Sequence, residues 1–264
     1  MTSENSLIHL LRIEDKYIIE RRHLDSFLKL FKAFMKPYYP PGAENSLFVV
    51  NRSIYFDTPH LDDLKDHLEG YKERKKIRIR SYLSDGKKVK TQFLEMKTKD
   101  GDKCIKTRVQ IGKDHYNTLM KQSKINVDEE LTVLNEDFMD KTELILKIGE
   151  LNAILKEGHY LPVIQIDYKR SAFQRGEDFR ITLDQDLKFS ALPGLDMEVL
   201  HQFKKDLKEH EHKFINFEDI IIEVKHEGNN VPGWLKNKFE KHFLKPQSFS
   251  KYCWTMSRLA NKDE

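Results

Sequence analysis

The 264-residue sequence is poor in several features that would narrow its function at once. Its two cysteines, Cys104 and Cys253, lie far apart and outside any CxxC or Cys/His spacing, which excludes a disulfide framework and a zinc site. It has no apolar run of the roughly 18 residues that span a bilayer, and its N-terminus lacks the features of a secretion signal. We therefore expect a soluble, cytoplasmic protein without a transmembrane segment.

An excess of charge of one sign is also missing. Lys and Arg number 46 against 43 Asp and Glu, so the net charge is only +3, which argues against a general nucleic-acid binder. The 16 Phe and 10 Tyr are too many for a disordered chain, although 34% of the residues are charged. Since no repeat, low-complexity tract or linker interrupts the sequence, we expect one domain covering residues 1–264.

Period-two alternation of polar and apolar residues recurs along the chain and predicts strands. In the clearest stretch, 73–111, two Asp-Gly turns separate three antiparallel strands. Further strands are predicted at 8–19, 47–57, 161–174, 178–189 and 217–226. Helical periodicity is found at 23–36, 60–69, 113–122, 141–157, 232–244 and 248–260. The pattern predicts an α+β fold built on an antiparallel sheet.

The three strands of 73–111 divide their residues between an apolar and a cationic face. Ile77, Ile79 and Val109 alternate with basic residues, which are Lys76, Arg78, Arg80, Lys97, Lys106 and Arg108. Like charges on neighbouring strands repel each other unless an anion lies among them. Because the predicted helices must cover the apolar face, we expect the cations to line the inside of a β-barrel and to bind phosphates there.

Carboxylates occur among these cations, which a site for an anion alone does not need. They are Glu14, Glu95, Asp184 and Glu223. Carboxylate oxygens are the ligands that Mg²⁺ or Mn²⁺ prefers, and both ions share their coordination with substrate phosphates. We therefore expect a metal-dependent phosphoryl transfer.

Nine short motifs in fixed order resemble one known family. They are EDKY at 14–17, SIYFDT at 53–58, IRIRSY at 77–82, LEMKTK at 94–99, IKTR at 105–108, YKRSAFQ at 168–174, RITLD at 180–184, IIEVK at 221–225 and FSKY at 249–252. The family is the VTC domain, the polyphosphate polymerase module of the vacuolar transporter chaperone, in the triphosphate tunnel metalloenzyme superfamily. The resemblance implies an eight-stranded antiparallel β-barrel tunnel with helices packed outside, in which ATP gives its γ-phosphate to inorganic polyphosphate in the presence of Mn²⁺ or Mg²⁺.

The resemblance also implies roles for individual residues. Those expected to hold the reacting phosphates are Lys16, Arg78, Arg80, Lys97, Lys106, Arg170 and Lys251. Glu223 is expected to bind the metal, helped by Glu14 and Glu95, and Ser250 joins Lys251 in binding substrate. Strand alternation adds Arg52, Arg108 and Lys225 as further substrate contacts.

Two other functions remain open at this point. The same cations would serve a tripolyphosphatase or nucleoside triphosphatase, in which water is the acceptor; an adenylate cyclase is a weaker alternative. A non-catalytic polyphosphate-binding module would keep the cations but would not need the carboxylates. The sequence lacks the sensor domain and membrane helices of eukaryotic relatives and resembles a stand-alone bacterial member; membrane-associated protein partners stay open.

Overall fold

The computed structural model describes residues 12–39, 47–84, 88–101, 103–136, 139–209, 218–228 and 231–261. The described strands are β1 (Arg12–Ile19), β2 (Lys36–Pro37), β3 (Val49–Asp57), β4 (Arg74–Ser84), β5 (Lys88–Asp100), β6 (Lys103–Ile111), β7 (Leu161–Arg175), β8 (Phe179–Ala191) and β9 (Ile220–Glu227). The described helices are α1 (Leu24–Phe34), α2 (Asp62–Leu68), α3 (Lys113–Gln122), α4 (Glu129–Asn135), α5 (Lys141–Glu157), α6 (Met197–Gln202), α7 (Lys204–Glu209), α8 (Gly233–Lys241) and α9 (Lys251–Ala260).

The chain divides into two compact units, each assembled from three stretches of sequence. Unit 1 draws its described residues from Met1–Val49, Tyr168–Leu187 and Phe214–Phe249. Unit 2 draws them from Val50–Asp167, Lys188–Lys213 and Ser250–Glu264. Strands β7 and β8 each contribute residues to both units. That residues 1–264 form one domain stays a prediction.

Unit 2 contains the strand order β7-β3-β4-β5-β6. Its core lies on the face of the sheet from which Ile54, Ile79 and Leu94 project, and helices α3, α4 and α5 contribute buried apolar side chains to the same cluster. α5 carries Leu144 and Ile148 toward this core with the spacing of one helix turn. The helices therefore cover the apolar face of these strands, as the sequence predicts.

Unit 1 contains the order β1-β9-β8-β7, with β2 paired to β7. Its core combines Tyr17, Ile181 and Ile222 from the strands with the inward stripes of α1 and α8. Phe239 of α8 stacks on Tyr17 with ring centroids 4.0 Å apart. As in unit 2, one face of the strands is apolar and covered by helices.

The α+β class and the antiparallel sheet are confirmed, and all eight predicted strands are present. The described chain adds a ninth, the two-residue β2. The hydrogen-bonded path through the described strands has β1 and β6 as its ends, so the closed barrel stays a prediction. Residues 8–11 of the first predicted strand and part of each Asp-Gly turn lie outside the described residues. Within the described part of the chain, no helix is both long and apolar enough to cross a bilayer.

Candidate functional site

The strand register of unit 2 places the charged residues in rows across the sheet. Arg78 on β4 is opposite Glu95 on β5, and Glu95 is opposite Arg108 on β6. The next row consists of Lys76, Lys97 and Lys106, on the same strands. Because side chains alternate between faces, both rows project from the face opposite the core of unit 2.

Glu95 is the centre of this arrangement and is only 2% exposed. Arg78 donates to its Oε2 through Nε at 2.9 Å and Nη2 at 2.7 Å. Lys106 Nζ lies 2.7 Å and Arg108 Nε 3.3 Å from Oε1, and Arg80 Nε lies 4.0 Å from Oε2. One buried carboxylate thus holds four cations of the described chain, and the group, which we call the Glu95 cluster, keeps an excess of positive charge.

The pKa values within the Glu95 cluster reflect this imbalance. Burial would raise the pKa of Glu95, but Arg78, Arg80 and Lys106 hold it well below its usual value, so the group stays ionised. Burial lowers the pKa of Lys106 to about 8; Arg78 and Arg80 add to this lowering, and Glu95 opposes it. A polyanion entering the cluster would relieve the repulsion among the cations.

The first turn of α9 lies at the same face. Ser250 caps this helix by accepting from Cys253 N at 3.4 Å, and its Oγ also accepts from Lys76 Nζ at 2.9 Å. Lys251 is the first residue of α9 and is partly buried. Lys97, in the row of lysines, is exposed to solvent. The structure therefore brings Ser250 of the predicted FSKY motif to the row of lysines beside the Glu95 cluster.

Unit 1 has a charged group of its own, centred on Arg170 of β7. Its guanidinium donates to Asp184 Oδ1 and Oδ2 at 2.5 Å and 2.6 Å and to Glu223 Oε2 at 2.8 Å. Burial would lower the pKa of Arg170, but Asp184, Tyr168 and Glu223 raise it instead. Thr182, opposite Glu223 in the register, lies 3.3 Å from the same oxygen. Arg170 is therefore fixed by two acidic partners.

The remaining predicted residues of unit 1 lie in two adjacent rows of the register. Lys16 Nζ donates to the carbonyl of Phe249 at 2.8 Å and lies 3.3 Å from Glu14 Oε1, and Lys225 Nζ lies 3.3 Å from Glu14 Oε2. Glu14 and Lys225 are opposite each other in the register, as are Lys16 and Glu223. The strands of unit 1 thus bring Glu14, Lys16, Glu223 and Lys225 to one face.

Arg52 is not brought to the face on which strand alternation predicted it. It is opposite Ser81 of β4. Ser81 is the neighbour of Arg80 in sequence and points to the other face of the sheet, so Arg52 projects from the face opposite to that of Arg80. Its guanidinium donates to both carboxylate oxygens of Asp167, at 2.9 Å and 2.8 Å. The physical reason is register: alternation within one strand does not tell which set of its residues shares a face with the next strand.

The predicted metal ligands fit a divalent ion unequally. Across the described residues, no three His, Cys, Asp or Glu side chains converge to form a metal site. Glu95 does not fit, because its oxygens are engaged by cations. Glu223 fits better, because Arg170 donates to one of its oxygens, Oε2, and Mg²⁺ is usually bound by one or two carboxylates together with substrate phosphates.

Two further cations lie on these faces: Lys76, which is among the cations predicted to line the barrel, and Arg180, which is not. Lys76 belongs to the lysine row of unit 2. Arg180 is opposite Lys225 in unit 1, and its guanidinium lies 3.9 Å from the centre of the Tyr38 ring. Arg180 alternates with its apolar neighbours Phe179 and Ile181 in sequence, so strand parity contained the signal that would have found it.

One family model covers the charged strands of both units. The profile of the VTC domain matches residues 11–260, which is nearly the full length. The chain belongs to the VTC domain family. This confirms the resemblance to the VTC domain that the nine motifs carry.

Solved structures similar to this VTC domain are distant in sequence. A "putative adenylate cyclase" from Bacillus halodurans is 12% identical, with a TM-score of 0.50, over 92% of this chain and 95% of that one. A protein from Pyrococcus horikoshii OT3 is also 12% identical, with a TM-score of 0.43, over 96% of this chain and 99% of that one. At this identity, the likeness to the Bacillus protein concerns the fold alone.

Proposed function

We propose that this VTC domain is a polyphosphate polymerase. A terminal phosphate oxygen of the polyphosphate chain attacks the γ-phosphorus of ATP, the bond from that phosphorus to the β–γ bridging oxygen breaks, and ADP leaves. The chain grows by one phosphate, and no oxidant or reductant is needed. Family membership and the charged rows on the strands support this proposal.

The observation that carries the proposal is the Glu95 cluster. Phosphoryl transfer requires little covalent help, since positioning and neutralisation of charge on the transferring group supply most of the rate. Arg78 and Arg108 are oriented by a buried carboxylate, so they do not reorganise when a phosphate arrives. Lys106 adds a compact charge, and Lys97 stands in the adjacent row.

In unit 1, we propose that Glu223 is the carboxylate that contacts a divalent ion carried in with the substrate. The ion, Mn²⁺ or Mg²⁺, would neutralise phosphate charge when bound. Arg170 holds Glu223 in place and keeps Asp184 beside the same guanidinium. A Glu223→Gln variant that needs no more Mn²⁺ than wild type for half-maximal turnover would contradict this assignment.

The deciding experiment is a product analysis. The purified protein is incubated with ATP and Mn²⁺, and the products are separated on a gel that resolves polyphosphate chain lengths. A ladder of long chains supports the polymerase, whereas free phosphate alone indicates a hydrolase. Tight polyphosphate binding without turnover indicates a binding module, and either of the last two results overturns the proposal.

A pair of arginine variants links the product to the site. Arg78→Ala removes a cation of the Glu95 cluster, and Arg52→Ala removes an arginine of the neighbouring strand that projects from the other face. Loss of one oriented phosphate contact costs about 10²-fold in turnover, so Arg78→Ala is expected to lose at least tenfold more than Arg52→Ala. Circular dichroism confirms that both variants fold, and equal losses would contradict the placement of the site.

A further inference from the structure

A buried carboxylate outside the Glu95 cluster holds the start of α9. Asp57 ends β3 and is fully buried. It accepts hydrogen bonds from the backbone N–H groups of Thr58 at 2.7 Å, Asp63 at 3.0 Å and Leu64 at 3.0 Å. A further hydrogen bond comes from the hydroxyl of Tyr252 at 2.6 Å. The carboxylate is thus solvated by the protein in place of water.

The backbone hydrogen bonds have a local explanation. Residue 61, which precedes α2, is a leucine with φ of 57° and offers no side-chain acceptor to the helix. Asp57 supplies that acceptor from the preceding strand, because Asp63 and Leu64 are the second and third residues of α2. The hydrogen bond from Tyr252 has no part in capping α2, so it requires a separate reason.

That reason lies in what surrounds Tyr252. The two preceding residues are Lys251 and Ser250, and Ser250 accepts from Lys76 at the charged face of unit 2. The ring of Tyr252 stacks on Tyr55, with centroids 5.1 Å apart and an angle of 21°. The hydroxyl of Tyr55 in turn accepts from Arg78 at 3.1 Å. Tyr252 is therefore packed against a residue that contacts the Glu95 cluster directly.

We propose that Asp57 and Tyr252 are positioning residues, which fix the first turn of α9 so that Ser250 and Lys251 meet the phosphates bound at the Glu95 cluster. The proposal rests on the proposed function, because it assigns these two residues to the same phosphate site. Neither Asp57 nor Tyr252 needs to touch the substrate. Burial and Asp57 raise the pKa of Tyr252, which keeps its hydroxyl a donor.

The rest of α9 does not depend on this hydrogen bond for its packing. Trp254, Met256, Leu259 and Ala260 are all buried and hold the body of the helix in unit 2. Removing one hydroxyl from Tyr252 leaves these apolar contacts in place, so we expect α9 to stay bound while its first turn loosens. A positioning role therefore predicts a larger loss of affinity than of stability.

The chain offers a matched control for the test. Tyr160 is as buried as Tyr252, and its hydroxyl donates at 2.8 Å to Oδ1 of Asp63, another buried aspartate of unit 2. Tyr160→Phe and Tyr252→Phe thus each delete one buried hydroxyl that donates to an aspartate side chain. Tripolyphosphate binding is measured by isothermal titration calorimetry, and melting temperatures are recorded for both variants.

A hydrogen bond to a charged group of this kind corresponds to about a tenfold effect. We therefore expect Tyr252→Phe to bind tripolyphosphate about tenfold more weakly than wild type, with Tyr160→Phe within about twofold of it. The two melting temperatures should fall by similar amounts. Equal affinities of the two variants, with a wild type that binds normally, would overturn the positioning role.

A double-mutant cycle with Lys251→Ala separates positioning from a general loss of stability. If Tyr252 acts through the first turn of α9, Tyr252→Phe will weaken binding little further once the Lys251 ammonium is gone. Independent effects that multiply would show that Tyr252 does not act through Lys251 and would overturn the inference. A wild-type protein that binds no tripolyphosphate overturns the proposed function itself, and the inference with it.

Discussion

At the residue scale, Glu95 organises cations and is not suited to bind a metal. From the sequence, Glu95 is predicted with Glu14 and Glu223 as a metal-binding carboxylate, because each of the three alternates with apolar residues on a predicted strand. What distinguishes Glu95 is that Arg78 and Lys106 engage both of its carboxylate oxygens, which depends on side-chain packing across strands. Residue order alone does not contain that information.

Neutralising Glu95 should destabilise the protein in a way that anions can reverse. Glu95→Gln removes the negative charge that compensates buried cations, a change that costs about 3 kcal/mol and lowers the melting temperature by about 5–10 °C. Tripolyphosphate should restore much of this loss by supplying negative charge. Differential scanning calorimetry in phosphate-free buffer measures both effects, and a variant as stable as wild type without added anion would contradict the cluster's charge imbalance.

Lys106 should make anion affinity sensitive to pH. Because its pKa is about 8 in the free protein, its charge is present below that pH and is lost above it. Tripolyphosphate affinity should therefore fall between pH 7 and 9, and Lys106→Arg should reduce that fall, since arginine stays charged throughout. The comparison of the two proteins by calorimetry cancels the titration of the ligand, and identical pH profiles would be evidence against the role of Lys106.

At the element scale, the sequence predicts those strands and helices that show a clear period. β4, β5 and β6 alternate over nine residues or more, and α5 presents a regular apolar stripe over 17 residues. The three helices missed, α4, α6 and α7, have six or seven residues each, fewer than two full turns, so their period is weak; α2, with seven residues, was nevertheless predicted. Strand β2 has two residues, one of them a proline.

The site could be predicted only where adjacent strands supply alternating charges. Alternation places Arg78, Glu95 and Lys106 correctly on one face. It misplaced Arg52, since β3 pairs with β4 in a register that no local pattern reveals. The sequence also did not predict that Asp57 caps α2. The usual capping residue immediately precedes its helix, whereas Asp57 lies several residues before α2.

The buried aspartates Asp57, at the end of β3, and Asp63, in α2, lie close together and should make the protein less stable as the pH rises. Burial, with Asp57 and Asp66 adding to it, raises the pKa of Asp63 to about 8, while Tyr160 and Lys75 oppose this increase. The folded protein thus retains a proton that the unfolded chain releases near pH 4. The contribution of Asp63 is fully present below that pH and is lost as pH rises through about 8.

Asp63→Asn should remove this part of the pH dependence. The amide of this variant has nothing to ionise and can still accept from Tyr160, so the free energy of unfolding should vary less between pH 5 and 9. Urea denaturation across that range gives the slope, which for one proton is at most about 1.4 kcal/mol per pH unit. An unchanged slope would show that the proton belongs to another group.

At the scale of the whole molecule, the near balance of charge contrasts with the local excess around Glu95. A net charge of +3 over 264 residues gives little long-range attraction for anions, so affinity must come from the cations held at the site. Each of the two units has its own hydrophobic core and carries charged side chains on the opposite face of its strands. The net charge alone therefore gives no indication of the proposed phosphate site.

Tripolyphosphate should stabilise the intact protein. At about 100 times its dissociation constant, a ligand that binds only the folded state adds about 2.7 kcal/mol, which corresponds to a rise in melting temperature of about 5–10 °C. Sodium chloride at the same ionic strength is the control, because it screens charge without binding specifically. No rise beyond that in sodium chloride would exclude a specific site.

The hydrogen bond between Tyr252 and Asp57 joins residues 195 positions apart in the chain. During synthesis from the N-terminus, strands β3 to β6 leave the ribosome long before α9 does. The cations of the Glu95 cluster can thus assemble early, but Ser250 and Lys251 cannot join them until almost all of the described chain has been translated. A nascent chain would acquire its phosphate site in two steps separated by the time needed to translate about 140 residues, at least several seconds at ordinary elongation rates.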